Sequence, residues 1–330
     1  MKKLFAVLMS VVLFAAMLTA CASANTESRS AAAVSDDLPK IGLIQLAEHP
    51  SLDEIRTAIE AQLEAQKGTD GALKNGYTYD YQNAQGDPST ISNICQKFVA
   101  DDVDVIIAIA TNAAQGAASA VQGTDIPVVF AAVTDPVAAG LVTDPNAPDM
   151  NVTGTSDAIA VDKIFDLAST LTPEVKSYGL IYNNAEPNSA SVIEQTKAYL
   201  DEKGISYVEG AVTTTGEVQT AAQSLLGQCD AVFAPIDNTV ASAMTILAEE
   251  GIAAKKPVYV AADSMVADGG LATVGVNYTL LGTQTGEMAV KVLNGTPVSE
   301  LPVETLTDTA VVVNEETAAA IGVDVSAYTN

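Results

Sequence analysis

DVIIAIATN, residues 104–112, recurs in outline as DAVFAPIDN, residues 230–238. Each stretch opens on an Asp, continues as an apolar run and ends in a polar pair at the same spacing, Thr111-Asn112 or Asp237-Asn238. A short continuous apolar run is typical of a central strand in a parallel sheet that helices cover on both faces. Because the pattern occurs once in each half of the chain, it predicts two similar folding units.

The segments around these two stretches also repeat in the same order. Short apolar strands alternate with amphipathic helices, such as the one expected from Ser51 to Gln66, which is typical of a parallel α/β sheet. The predicted strands are residues 41–45, 77–82, 103–110 and 127–131 in the first half, and 178–182, 205–209, 230–238 and 257–262 in the second. We therefore predict an α/β fold of two similar lobes, each a parallel sheet flanked by helices, joined by a hinge of several strands.

The lobe boundaries follow from the segments that connect the repeats. Residues 151–157 and 272–278 are candidate crossings, and repeated crossing between lobes favours a multi-strand hinge. The helix expected at residues 280–293 follows the complete second unit, so we expect it to pack on the first lobe. The predicted lobes are residues 39–152 with about 277–305, and residues 153–276 with about 306–330.

The N-terminus has the layout of a secretory signal. Lys2 and Lys3 precede an apolar run that ends at Leu18, which is too short for a stable membrane span. The following Thr-Ala-Cys resembles the lipobox of bacterial lipoproteins, which implies cleavage after residue 20 and a lipid on Cys21; an ordinary signal peptide cut at Ala-x-Ala is the alternative. We predict a signal peptide at residues 1–20, a flexible tether at 21–38, and a protein outside the cytoplasm, lipid-anchored to the bacterial cell membrane.

The composition excludes several classes of ligand. The formal net charge is −26, which argues against nucleic acid and anionic lipid. Arg29 and Arg56 are the only arginines, and phosphate and dicarboxylate sites usually recruit Arg. Cys95, Cys229 and a single His form no metal-binding pattern. We expect neither a metal nor a cofactor.

A ligand site is expected beyond the carboxyl ends of the strands, where helix N-termini expose free N–H groups. In the first lobe, hydroxyl, amide and N–H donors suit a carboxylate, whereas in the second lobe carboxylates suit an ammonium group. Together they favour a zwitterion, a free amino acid, although Thr111 and Asp237 could equally be helix caps. The candidates are Gln45, Glu48, His49, Thr111, Asn112, Ala113, Thr134 and Asp135 in the first lobe, and Asn184, Glu186, Asn188, Asp237, Asn238 and Asp263 in the second.

Catalysis has little support in the sequence. The chain carries no Gly-x-Ser-x-Gly elbow, no phosphate-binding loop of the Gly-x4-Gly-Lys type and no His-Glu-x-x-His. His49 precedes a proline, and a loop hydrogen bond explains it better than chemistry does. We therefore expect a binding protein and not an enzyme, and we expect Asp237→Ala to weaken ligand binding at least about tenfold if that carboxylate holds the ammonium.

Several motifs together resemble the substrate-binding lipoproteins of ABC importers, in the group that binds tryptophan and other aromatic amino acids. The resemblance covers residues 39–323 and rests on residues 44–53, 110–115, 130–136, 151–156, 182–189, 237–238 and 281–289. It implies a type I periplasmic-binding fold that captures its ligand between the lobes, closes, and delivers it to a permease driven by a cytoplasmic ATPase. A monomer is expected for such a shuttle.

The resemblance also implies which residues line the cleft: Gln45, His49, Thr111, Asn112, Thr134, Asn184, Asp237 and Asp263. An aromatic ligand needs an apolar or stacking wall; Phe130, Tyr182 and Tyr278 are the candidates, since the chain has no Trp. That scarcity keeps aliphatic amino acids and other small solutes open as alternatives. A sensory lipoprotein that passes its signal to a receptor kinase or chemoreceptor is the second class of function.

Overall fold

The computed structural model describes residues 38–307 and 309–329. They form two six-stranded sheets flanked by helices, which confirms the predicted fold class. The expectations for the signal peptide, Cys21 and most of the tether lie outside the described residues. No helix among the described residues is long and apolar enough to cross a membrane.

The first sheet is entirely parallel, in the order β11-β5-β4-β3-β1-β2. All five residues of its central strand β3 are buried, as the continuous apolar run predicts for a sheet with helices on both faces. Its strands are β1 (Lys40–Gln45), β2 (Thr78–Asn83), β3 (Val105–Ile109), β4 (Val128–Ala131), β5 (Val152–Ser156) and β11 (Glu304–Thr305).

The second sheet repeats this order as β12-β10-β9-β8-β6-β7, so that β6 and β8 take the places of β1 and β3. Its one antiparallel edge is β12, which pairs with β10. The strands are β6 (Ser177–Asn183), β7 (Ser206–Val212), β8 (Ala231–Ala234), β9 (Val258–Val260), β10 (Ala272–Val276) and β12 (Thr309–Val313). The two repeated units of the sequence thus fold into sheets with the same strand order.

Local signals explain where many helices begin and end. Proline occupies the first turn of α1, α2 and α5, where its missing N–H costs nothing. Gly204 ends α5 with φ 67°, a left-handed conformation that favours glycine. The helices are α1 (Pro50–Ala65), α2 (Pro88–Ala100), α3 (Thr111–Ala120), α4 (Val161–Leu171), α5 (Pro187–Lys203), α6 (Val218–Leu226), α7 (Asn238–Ala241), α8 (Met244–Ala254), α9 (Asp263–Ala267), α10 (Tyr278–Leu293) and α11 (Glu315–Ile321).

The described chain crosses between the sheets after β5, after β10 and after β11. Strand β5 pairs with β4 in the first sheet, so the first crossing comes after Ser156, a few residues later than the expected boundary at residue 152. Helix α10 packs against α1 of the first lobe, as expected. The two helices approach so closely that a Cβ on Gly282 would lie 2.5 Å from the carbonyl oxygen of Ile55.

Candidate functional site

The carboxyl ends of the two sheets face each other across a narrow cavity of about 20 Å³. Its walls combine small and large apolar side chains with a few polar groups, and none of the lining residues is Lys or Arg. This is the usual composition of a small-molecule site, apolar with few and specific polar contacts. The lining residues are His49, Ser51, Leu52, Ala132, Asp157, Asn188, Ile236, Asp237, Asn238, Ala241, Ala262, Met265 and Tyr278.

One polar group of the cavity is the carboxylate of Asp157, which directly follows β5. Its side chain is buried and accepts hydrogen bonds from the hydroxyls of Thr134 (2.9 Å) and Tyr278 (3.3 Å). Burial raises the pKa of Asp157 to about 6, because the charged form loses its hydration. A buried carboxylate without a cationic partner is costly, and a ligand ammonium would supply that partner.

A second polar group of the cavity is the imidazole of His49, in the loop between β1 and α1. Its Nε2 lies 3.1 Å from Oδ1 of Asn238. The Asn238 amide is oriented by its Nδ2, which donates to Glu186 at 2.6 Å, so its oxygen faces the ring and Nε2 of His49 carries the hydrogen. Burial lowers the pKa of His49, which keeps the ring neutral at pH 7 and leaves Nδ1 as an acceptor.

Two buried acceptors on the cavity-lining residues have no hydrogen-bond partner within the described chain. One is Nδ1 of His49, and the other is Oδ1 of Asn188. The Asn188 amide is also oriented, because its Nδ2 donates to the carbonyl of Ile236 at 2.7 Å. Buried polar atoms are rarely left unpaired, so both point to a bound group that donates hydrogen bonds.

The carboxylates of Asp237 and Glu186 are already occupied by the protein. Asp237 accepts from the N–H of Asn183 (2.5 Å), the hydroxyl of Ser189 (2.7 Å) and the N–H of Val240 (2.8 Å). Burial, together with the charge of Glu186, raises the pKa of Asp237. Both acidic residues thus cap the short helix α7: Asp237 through Val240, and Glu186 through the N–H groups of residues 238 and 239.

Direct contacts between the lobes close the cavity. In addition to the contact of His49 with Asn238, the hydroxyls of Ser51 and Ser264 are hydrogen-bonded. The hydroxyl of Ser191 donates to Asp135 at 3.0 Å. Residues from both lobes therefore surround any occupant, which is the geometry of a receptor that closes over its ligand.

The N-terminus of α3 has no side-chain cap among the described residues. Its cap residue Ala110 has φ 79° and provides no side-chain cap, so the first N–H groups of the helix are free. The hydroxyl of Thr111 and Oδ1 of Asn112 are buried without a hydrogen-bond partner in the described part of the chain, and Ala113 is also buried. Asn112 and Asn238 both line an adjoining groove between the lobes.

The structure places the seventeen predicted site residues in different environments. Five of them line the cavity: His49, Asn188, Asp237, Asn238 and Tyr278. Thr134 supports the cavity through Asp157, and Glu186 supports it through Asn238. The four at the α3 terminus and the lobe contact, Thr111, Asn112, Ala113 and Asp135, lie outside the cavity lining.

The remaining predicted residues do not line the cavity. Gln45 shapes its own loop by donating to the carbonyl of Ala47 and to Asp53. Phe130 is buried in the first sheet and packs under Gly154, and the hydroxyl of Tyr182 donates to Glu209. Glu48 and Asn184 are exposed, and Asp263 is half-buried at the start of α9.

Sequence reasoning missed eight of the lining residues, of which Asp157 matters most. Asp157 follows β5 and so obeys the strand-end rule, but the polar, turn-rich residues 151–157 indicate a crossing segment and not a strand of the first sheet. The other seven are small, hydroxylic or apolar and carry no chemical signal in the sequence: Ser51, Leu52, Ala132, Ile236, Ala241, Ala262 and Met265.

Two similar α/β lobes that close over a cavity at their strand ends define a class, the two-lobed solute receptors with a type I periplasmic-binding fold. The chain belongs to the ABC transporter substrate binding protein family, whose model matches residues 40–328. Proteins of this family bind substrates outside the cytoplasm, and the family is one of receptors and not of enzymes.

Two relatives with known names or ligands are similar over most of the chain. A protein of Clostridioides difficile (strain R20291) named tyrosine-binding protein is 38% identical over 323 residues, 97% of this chain and 92% of that protein. The ABC domain from Streptococcus pneumoniae in complex with L-Trp has a TM-score of 0.82 and 37% identity, covering 87% of this chain and 95% of that chain.

A third comparison concerns the arrangement of the lobes. The ligand-free, open structure of a substrate-binding protein with adhesive properties from Clostridium difficile is 44% identical but has a TM-score of 0.65, covering 87% of this chain and 95% of that chain. The score is lower than for the tryptophan complex although the identity is higher. The lobes are thus arranged more as in the tryptophan complex than as in the open form.

Proposed function

We propose that the protein is the receptor of an ABC importer that captures a free aromatic amino acid, Trp, Tyr or Phe, and delivers it to a permease. The observation that carries this is Asp157, a buried carboxylate in the cavity with no cationic partner among the described residues. An α-ammonium group fits there, since it would pair the charge and donate hydrogen bonds. The protein binds its ligand without transforming it.

The rest of the ligand has suitable surroundings. The free N–H groups of α3 and the hydroxyl of Thr111 suit a carboxylate. The apolar walls, with Leu52, Met265 and the ring of Tyr278, suit a flat aromatic side chain. The relatives support this choice, because one is named tyrosine-binding and another was crystallised with L-Trp.

The anchoring and the partners follow from the same proposal. The Thr-Ala-Cys sequence before residue 22 supports a lipid on Cys21, which would hold a monomeric receptor at the membrane beside its permease. Ligand binding shifts the population from the open to the closed form, so measured affinity includes the cost of closure.

A thermal-shift screen tests the proposal. The mature chain carrying Cys21→Ser, which removes the lipid, is heated with each of the twenty amino acids, several sugars and several nucleosides. A ligand at a hundred times its Kd stabilises the fold by about 2.7 kcal/mol, so Trp, Tyr or Phe should raise the melting temperature. If only aliphatic amino acids raise the melting temperature, the ligand is an aliphatic and not an aromatic amino acid. If only sugars or nucleosides raise it, the proposed amino-acid site is wrong.

A further inference from the structure

The atoms that the cavity leaves unpaired are of one kind. Nδ1 of His49 and Oδ1 of Asn188 are both acceptors, and both belong to side chains that are more than nine-tenths buried. Each is fixed in orientation by a bond on its other side, to Asn238 and to Ile236 respectively. Neither amide nor ring can turn to present a donor without breaking that bond.

These neutral acceptors differ in character from Asp157. The carboxylate is a charged acceptor, which suits the ligand ammonium, whereas an imidazole nitrogen and an amide oxygen suit an uncharged O–H or N–H. Small side chains at Ala132, Ala241 and Ala262 line the same cavity as the two acceptors. A neutral donor carried on an aromatic side chain therefore fits the second pair of acceptors.

We propose that His49, assisted by Asn188, makes the receptor selective for aromatic amino acids whose ring carries a hydrogen-bond donor. This inference rests on the proposed function. The phenol of Tyr and the indole N–H of Trp satisfy the acceptors, whereas Phe leaves them buried and unpaired. Sites built to bond a substrate hydroxyl reject the analogue that lacks it, so we expect Phe to bind at least about tenfold more weakly than Tyr.

Two substitutions of His49 separate ligand selection from the contact between the lobes. His49→Gln places an amide nitrogen near the position of Nε2, which keeps a donor for Asn238 but removes the acceptor at Nδ1. His49→Asn places an amide oxygen near the position of Nδ1, which keeps the acceptor but loses the contact with Asn238. The two variants thus form a matched pair.

Calorimetric titration of the mature wild-type receptor with a ligand series is the first measurement. Tyr, Trp and 4-aminophenylalanine carry a ring donor, while Phe and 4-fluorophenylalanine do not. We expect the donor-bearing ligands to bind at least about tenfold more tightly. If no aromatic amino acid binds, the proposed function fails; if Tyr and Phe bind equally, the function stands and this inference is overturned.

The variants give the second measurement. In His49→Gln the preference for Tyr over Phe should fall to within about twofold, with the affinity for Phe little changed, because only the acceptor is lost. In His49→Asn both ligands should weaken together and the preference should remain. An unchanged preference in a folded His49→Gln variant would overturn the role of His49; if that variant does not fold, the ligand series on the wild type still decides selectivity.

Discussion

At the scale of single residues, the buried carboxylate of Asp157 lowers the stability of the fold but can pair with a ligand ammonium. Its buried carboxylate accepts hydrogen bonds from the hydroxyls of Thr134 and Tyr278 and has no cationic partner among the described residues, and burial raises its pKa to about 6. A carboxyl group whose pKa is higher in the folded than in the unfolded chain favours folding at low pH and opposes it at neutral pH. The ionised form of Asp157 therefore destabilises the folded protein, and a ligand ammonium would reduce that cost by pairing with the charge.

The Asp157→Asn substitution should separate these two effects. At pH 7.5 the ligand-free variant should be more stable than the wild type, on the order of 1–3 kcal/mol, since it buries no charge. Its affinity for the aromatic amino acid should fall at least about tenfold because the ammonium loses its partner. Urea unfolding and calorimetric titration measure the two quantities, with Glu48→Gln, an exposed carboxylate outside the cavity lining, as the control.

The pH dependence of binding follows from the same carboxylate. Above about pH 6 Asp157 is ionised and the affinity should be constant; below it, protonation removes the charge that pairs with the ammonium. By pH 5 the affinity should be about tenfold lower. Titrations from pH 5 to 8 measure this, and a wild-type profile as flat as that of Asp157→Asn would contradict the assignment of the ammonium site.

At the scale of elements, the loop that leads into α7 is built around two acidic residues. Asp237 accepts three hydrogen bonds from Asn183, Ser189 and Val240, and Glu186 holds the first N–H groups of α7. This network fixes Asn238, the partner of His49. The carboxylates of Asp237 and Glu186, which the sequence indicates as candidates for binding an ammonium group, thus stabilise the start of α7 in the folded protein.

Asp237→Ala should therefore lower stability as well as affinity. Removing the carboxylate leaves buried donors without a partner, at a cost of about 1–3 kcal/mol. Thermal unfolding of the ligand-free variant measures this loss, and Asp237→Asn, which keeps one acceptor oxygen, should lose less. An Asp237→Ala variant with unchanged stability but at least tenfold weaker binding would indicate that Asp237, and not Asp157, binds the ligand ammonium.

The predictability of each element follows from how local its signals are. The central strands β3 and β8 could be predicted because their apolar runs are continuous, and the end of α10 because Asn294-Gly295 follows its last apolar residue. The role of Asp157 could not, since it depends on β5 joining the first sheet through pairing with β4. The sequence does not show that Phe130 and Tyr182 lie outside the cavity lining, because sequence position alone does not determine which face of the sheet a side chain occupies.

At the scale of the whole molecule, the lobes are held together by few polar contacts. His49 with Asn238, Ser51 with Ser264, and Ser191 with Asp135 span the cleft. Individual hydrogen bonds of this kind contribute about 0.5–1.5 kcal/mol each. These contacts thus contribute only modestly to the closed form, and the ligand determines how much of it is populated.

The Ser264→Ala substitution should shift this balance. Without the hydroxyl contact to Ser51 the ligand-free receptor should open further, seen as a larger radius of gyration in solution scattering, and ligand affinity should fall by about two- to tenfold. The ligand-saturated variant should have the same dimensions as the saturated wild type. Unchanged scattering and affinity would show that this contact does not contribute to closure.

If the ligand binds as proposed, the imidazole of His49 couples ligand binding to closure of the lobes. Its Nε2 donates across the cleft to Asn238, and its Nδ1 is free to accept a hydrogen bond from the ligand. Hydrogen bonds in a chain polarise one another, so cargo that donates to Nδ1 makes Nε2–H the stronger donor. Under the proposed function, the contact between the lobes is therefore strongest when the bound ligand carries a donor for Nδ1.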